Sequence, residues 1–341
     1  MAKKILHLLS ALLLISMKCA SAAVILQYHH VSEKLPAVTS LSAEQFRAHL
    51  SYLRDSQFKV VPLDELLKSL RKGDTLPAKT VAITFDDGYD NNIEQAAPIL
   101  QEFNYPYTIF VNPKLIDEQQ NYVMTWPQLK QLASKGALIA NHSAKHDYLH
   151  KRLPDESLPQ WRTRVSQDIT WSEQRIKDEV GHHAKLLAYP YGEFNNELRA
   201  LVKSLGFTGI GQHSGAVGID SDFTRIPRFP ASGVYSELDT LKVKLNSVPF
   251  SIAELSYDDS VTDMQRPSLR IDFKKINFNP EQFTCYVSGQ GKGNIEWLND
   301  KQVRVEAVKN LPKGRSRYNC TAPVKGQPGQ FFWFSQPWVI L

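Results

Sequence analysis

Short apolar runs alternate with amphipathic stretches from about residue 24 to residue 210. The runs at 24–28, 59–61, 80–85, 107–111, 137–140, 186–189 and 208–210 are rich in Val, Ile, Leu, Phe and Tyr and read as strands. Between them, apolar residues recur three or four positions apart at 43–55, 63–72, 92–103, 126–134, 160–179 and 195–205, which predicts helices. Strand–helix alternation of this kind predicts parallel βα units, closed into a barrel or doubly wound. Such a sheet collects the residues that follow its strands at one face, where active sites of βα barrels lie.

The pattern changes after about Leu245. Period-two alternation of β-branched and aromatic residues takes over, punctuated by turn signals such as Gly289-Gln290-Gly291 and Asn299-Asp300. This part carries Cys285, Trp297 and Cys320, with Tyr318 two residues before the second Cys. That order matches a small immunoglobulin-like sandwich, with a Cys pair bridging two sheets, a core Trp and a tyrosine corner. The expected organisation is a catalytic domain over 23–250 and an all-β domain over 260–341, with the boundary inside 247–263. The aromatic tail 331–338 reads as a final core strand in preference to a carbohydrate platform.

With 341 residues the chain is long enough for two domains. Its net charge of +5 is diffuse, and no basic run is interleaved with aromatics, which argues against nucleic acid as a partner. The start of the chain has the composition of an export signal over 1–22. Lys3 and Lys4 precede an apolar core from Leu8 to Met17, and Ala20-Ser21-Ala22 fits a cleavage site. The apolar stretch is too short for a membrane helix, so no transmembrane segment is expected. A lipoprotein anchor at Cys19 is disfavoured by the preceding Lys18. The expectation is a periplasmic or secreted protein beginning at Ala23. Of three Cys, Cys285 and Cys320 then remain, and in an exported protein they are expected to form a disulfide.

Two motifs carry chemistry. Thr84-Phe85-Asp86-Asp87-Gly88 follows one predicted strand, and His142-Ser143-Ala144-Lys145-His146 follows another. Alone, Asp-Asp-Gly is usually a turn or a helix cap, and a His pair spaced by three residues is weak evidence of a metal. Together, after strands of one sheet, they offer one carboxylate and two imidazoles for a divalent ion, and a second carboxylate free to act as a base. Tyr28-His29-His30 and Pro190-Tyr191-Gly192 follow two further strands. The composite points to a metal-dependent hydrolase.

On these motifs, residues 24 to 230 resemble the polysaccharide deacetylases of carbohydrate esterase family 4, the NodB-homology group. The resemblance implies a distorted β/α barrel and a divalent ion, zinc first with cobalt or nickel as alternatives, held by Asp87, His142 and His146. It makes Asp86 the general base. Tyr189-Pro190-Tyr191-Gly192 is similar to a third family motif, but Ala188 stands where many members carry the Arg that orients the base. Arg225 and Arg228 are the candidates to replace it, and surface salt bridging is the alternative role for both. The late Leu-His motif that usually supplies the general acid is absent after Arg228. Gln27-Tyr28-His29-His30-Val31 instead resembles the subgroup that deacetylates poly-N-acetylglucosamine, in which the acid comes from the N-terminal end. By that pattern His29 is the acid and His30 a structural neighbour.

The implied reaction is hydrolysis of N-acetyl groups on an N-acetylhexosamine polymer or oligomer. Poly-N-acetylglucosamine, chitin-type chains and peptidoglycan all present this acetamide. Tyr191, Arg228 and Trp126 are expected on the substrate side, Trp126 as a stacking surface whose alternative is a core residue at a helix start. Association with the cell envelope through the β domain is a further expectation. Two other functions stay open: a non-catalytic carbohydrate-binding relative, and a metal hydrolase of a smaller amide.

Overall fold

The computed structural model describes residues 22–35 and 37–341, so the export-signal reading of 1–22 lies, but for Ala22, outside the described residues. Nine strands form the first sheet. Along its main path run Val217–Gly218, Ala22–Tyr28, Thr80–Phe85, Thr108–Val111, Leu138–Asn141, Leu186–Ala188 and Thr208–Ile210. All neighbours on this path pair in parallel except Val217–Gly218, which runs antiparallel to Ala22–Tyr28. The strands are almost wholly buried, as continuous apolar runs in a parallel sheet demand. The sheet curls, and one segment spans its two ends: Ile226 bridges to Ile210, while Phe229–Pro230 pairs with Leu26 and Gln27. The expected distorted barrel is therefore drawn together by 226–230, not by a further full strand.

Helices cover this sheet through single apolar faces. Ala43–Asp55 starts with a capping box between Ser42 and Gln45 and buries Phe46, His49, Leu50 and Leu53. Leu63–Lys72 buries Leu63, Leu66, Leu67 and Leu70 and stops at the left-handed Gly73. The helix predicted over 92–103 is divided into a π-helical turn, Asn92–Ala96, and an α-helix, Ala97–Phe103. Among the described residues no helix is long and apolar enough to cross a membrane.

The C-terminal part is all β. A four-stranded sheet orders Ile252–Ser256, Leu269–Phe273, Gln302–Glu306 and Asn294–Asn299. A five-stranded sheet orders Val261–Thr262, Phe331–Ile340, Gly314–Pro323, Thr284–Val287 and Gly291–Lys292. The first strand of this all-β part, in the four-stranded sheet, starts at Ile252, ahead of the expected residue 260. Leu269, Ile271, Phe273, Val303 and Val305 from one sheet share a core with Val287, Tyr318, Phe332 and Trp338 from the other. Tyr318 donates to the Pro267 carbonyl (2.8 Å) and accepts from the Ala307 N–H (3.1 Å). The Cys285–Cys320 disulfide is present, with Cα atoms 3.9 Å apart. It corrects the expectation in one respect. The two Cys are directly opposed on neighbouring strands of one sheet, so the bond staples that sheet and does not bridge the sandwich.

The two parts share a polar and aromatic seam. Arg225 is 3% exposed and donates to Gln336 Oε1 (2.6 Å), the Ser335 carbonyl (3.1 Å) and Tyr257 Oη (2.9 Å). Trp333 packs edge-on against Phe229 at 5.2 Å, while Trp338 is fully buried. Arg225 thus ties the closing segment of the first sheet to the last strand of the second domain.

Candidate active site

Six parallel strands of the curled sheet each deliver a polar residue at or just past the C-terminal end. Ala22–Tyr28 leads to His29, Thr80–Phe85 to Asp86 and Asp87, and Thr108–Val111 to Asn112. Leu138–Asn141 leads to His142, Leu186–Ala188 to Tyr191, and Thr208–Ile210 to Gln212. Asp87, His142 and His146 each offer a ligand atom, and these atoms lie within 4.8 Å of one another. Beside them is a cleft of about 310 Å³ that Tyr89, Tyr122 and Tyr191 help to line. Another cavity, about 230 Å³ and lined in part by Arg225, Tyr257 and Phe334, lies at the seam between the domains and holds none of these ligands.

The backbone is bent to make this cluster. Asp87 (φ 69°), Ser143 (φ 67°), His146 (φ 64°) and Tyr191 (φ 60°) all occupy the left-handed region. Each such residue costs of order 1–3 kcal/mol and needs its surroundings to hold it. Asn112 Nδ2 donates to the carbonyls of His142 (2.6 Å) and Ser143 (3.2 Å), and Ser143 Oγ accepts from the His146 N–H (3.0 Å). Gly88 is required for a different reason. A Cβ there would stand 2.9 Å from Val111 Cγ1, with φ at 62°.

His142 is fully buried, and its Nδ1 donates to the Ala188 carbonyl at 2.8 Å. That leaves the Nε2 lone pair directed at Asp87 Oδ1, 3.2 Å away, with no hydrogen-bond partner. His146 Nε2 faces the same oxygen at 3.4 Å. Acceptors facing a carboxylate call for a cation among them, and a carboxylate with two imidazoles is a suitable donor set for zinc-type ions. A carbonyl bonded to the far nitrogen of a ligating His is the usual means of fixing its tautomer.

Asp86 is the most constrained group. It is fully buried and receives Arg228 Nη1 on Oδ1 (2.6 Å) and Nη2 on Oδ2 (2.8 Å). Gln27 Nε2 donates to Oδ2 (2.7 Å), with Gln212 Nε2 at 3.4 Å. Burial pushes the Asp86 carboxyl upward, but the Arg228 guanidinium, first among the charges beside it, more than offsets this, and the pKa is about 2. Arg228 is itself fully buried, and its Nε is spent on the Gly211 carbonyl (2.9 Å). It faces the carboxylate, which corrects its expected place among the substrate-binding residues and sets it, of the two Arg candidates, against Asp86. His29 Nε2 lies 3.9 Å from Asp86 Oδ2 and is one-fifth exposed. His30 points elsewhere, stacked on Tyr89 at 3.7 Å and bonded to Asn91 (3.0 Å).

Trp126 is not brought to the cleft. It is 8% exposed in the sheet–helix core, donates to Asp117 Oδ1 (2.7 Å) and is covered by the Arg175 guanidinium. Its position at the start of Trp126–Ser134 turns it inward with Leu129 and Leu132. Tyr191 does reach the cluster, edge-on to His146 (4.4 Å) and stacked on Tyr148 (4.1 Å). Gln27, Gln212, Asn112 and Tyr148 escaped the sequence reading. Only Gln27 left a signal, as the one polar residue in an otherwise apolar strand.

With this geometry the chain was compared with known proteins. Residues 73–210 match the family described as polysaccharide deacetylase. This stretch is a polysaccharide deacetylase domain. The poly-beta-1,6-N-acetyl-D-glucosamine N-deacetylase of Staphylococcus epidermidis is 27% identical over 231 residues, covering 62% of this chain and 80% of that protein. The Escherichia coli K12 protein of the same name is 22% identical over 242 residues, covering 60% of this chain but only 36% of its own length. Among solved structures, the de-N-acetylase of Aggregatibacter actinomycetemcomitans superposes with a TM-score of 0.59 at 23% identity, covering 65% of this chain and 99% of that one. IcaB of Ammonifex degensii gives 0.56 at 22% identity, covering 66% and 97%. At these identities the structures establish the fold alone, while the family match over 73–210 bears out the resemblance read from the motifs.

Proposed function

We propose that this protein is an exported, metal-dependent N-deacetylase of an N-acetylhexosamine polymer. Poly-β-1,6-N-acetylglucosamine stands first, after the names of its relatives. The observation that carries the reading is the clustering of Asp86, Asp87, His142, His146 and His29 beside a cleft that Asp87 and His146 line, in a deacetylase domain. Asp87, His142 and His146 would hold the ion, zinc before cobalt or nickel. When bound, such an ion supplies Lewis acidity toward a carbonyl oxygen and toward water.

The protein's own groups divide the remaining work. Asp86 takes the proton of the attacking water. Its low pKa makes it a weak base but keeps it ionised at every working pH, and Arg228 holds both carboxylate oxygens in a fixed orientation. The Tyr191 N–H, on a left-handed corner beside His146, would stabilise the developing oxyanion. His29, across Asp86 from the ligands, donates a proton to the leaving amine nitrogen. Amide cleavage needs that proton because an amide anion is a very poor leaving group.

The β domain we read as an immunoglobulin-like module that keeps the enzyme near envelope glycan, supported by the Tyr318 corner and the two packed sheets. Acetate release from poly-N-acetylglucosamine, chitin oligomers and peptidoglycan, with and without chelator, tests the whole. Chelator-sensitive release from the first at the highest kcat/KM is the expected result. Glycan binding with no release would favour the non-catalytic reading, and release only from small acetamides the third.

A further inference from the structure

The corner that carries Tyr191 is held from outside its own domain. Arg315 opens strand Gly314–Pro323 of the β domain, and its side chain is 60% exposed. Its Nη1 donates to the Tyr191 carbonyl at 3.3 Å, and its Nε lies 3.8 Å from Glu193 Oε1. Glu193 is only 8% exposed. Its other oxygen has no hydrogen-bond partner and lies 3.6 Å from His150 Nε2. Burial pushes His150 down to about 4, so it is neutral at neutral pH and that contact is not an ion pair. Burial pushes the Glu193 carboxyl up, and Arg315 is the cation in contact that opposes this, with Lys151 adding a weaker pull.

What Arg315 grips matters because of what Tyr191 touches. The residue sits at φ 60°, ψ 1°, a conformation a Tyr adopts only when its neighbours impose it. Its ring packs on the candidate ligand His146 and on Tyr148. Gly192 follows at φ 69°, where a Cβ would meet Gln212 Cβ at 2.5 Å. Gln212 in turn reaches Asp86. One guanidinium from the second domain thus bears on a corner packed against both halves of the active site.

We propose that Arg315 is a positioning residue of the deacetylase site: the β domain completes the catalytic cleft by clamping the Tyr191–Glu193 corner through the Tyr191 carbonyl and Glu193. This rests on the reading of Tyr191 as the oxyanion donor. Loss of the clamp should act on turnover and not on binding, because the donor is needed only as charge develops.

The test uses the full chain loaded with zinc. Arg315→Ala, Arg315→Lys, Glu193→Gln and the Arg315→Ala/Glu193→Gln double variant are compared with wild type. Backbone amide exchange is followed at Gly192 and Glu193, which donate to the Tyr189 and Pro190 carbonyls. Arg315→Ala is expected to speed exchange at both amides and lower kcat about five- to tenfold, with KM and melting temperature little changed. Arg315→Lys should recover part of both losses, and the double variant should be no worse than Arg315→Ala. Unchanged exchange and kcat would overturn the proposal. So would a rise in KM alone, which would make Arg315 a glycan contact, or a kcat loss that tracks lowered melting, which would make it a merely structural one. Absence of acetate release by wild type would sink the proposed function, and the exchange rates would then judge the clamp by themselves.

Discussion

Arg228 and Asp86 form a bidentate pair with both side chains fully buried. Removing one member of such a pair strands a charge, at a typical cost of 3–5 kcal/mol. Arg228→Ala should therefore destabilise the deacetylase domain by about that amount and abolish activity. Arg228→Lys should keep much of the stability while losing on the order of tenfold or more in kcat, because an ammonium cannot hold both oxygens. Urea melts and acetate release check the pair; an active Arg228→Lys variant at wild-type kcat would show that orientation of Asp86 is unimportant. His146→Ala should lose most bound metal by elemental analysis, whereas His29→Ala should keep it. His29→Ala should also be hurt less on an activated ester than on an acetamide, since only the amine needs a proton; equal losses would exclude it as the acid. These residues differed in legibility. Asp87, His142 and His146 stand in short local motifs, so the sequence displays them. The Arg228–Asp86 pair spans 142 positions, so the sequence offered Arg228 only as one of two candidates, with nothing local to choose it over Arg225. Trp126 misled because an aromatic near a motif reads the same whether it faces the cleft or the core.

Secondary structure follows its own local rules. The strands at 80–85 and 208–210 coincide with the periodicity, because fully buried parallel strands are continuous apolar runs. Two short helices, Pro113–Asp117 and Leu238–Leu245, were not visible, being too brief to establish a period. The closing segment 226–230 was equally hidden, since its pairing is with residues some two hundred positions away. The disulfide was legible as a pair but not as a position: a Cys count says nothing about which strands are neighbours. Replacing both Cys with Ala should lower the stability of the β domain by about 3–4 kcal/mol on the chain-entropy model for a loop of this length. Calorimetry of the oxidised and Cys-free proteins would measure it.

At the scale of the molecule, burial sets an acid limit. His30 and His150 are pushed down to about 4 and His213 well below its usual value, burial being the chief cause for all three. Unfolded, each takes up a proton near pH 6.5, so between there and pH 4 the unfolded state binds more protons and stability falls as pH falls. His150 alone should cost roughly 2 kcal/mol at pH 5 relative to pH 7.5. Denaturation midpoints at the two pH values test this, and His150→Gln should flatten part of the slope; a pH-independent midpoint would refute it.

The staple in the second domain also sets how the chain responds to force. Cys285 and Cys320 are 35 positions apart on adjacent strands, and the bond between them leaves the final strand, Phe331–Ile340, outside the closed loop. Force applied at the chain ends can peel that strand away, yet it passes from Cys285 to Cys320 without drawing out what lies between. The oxidised protein should therefore extend by roughly 120 Å less than the reduced one in a single-molecule pull. The core of the β domain thus stays short under load for as long as its surroundings stay oxidising.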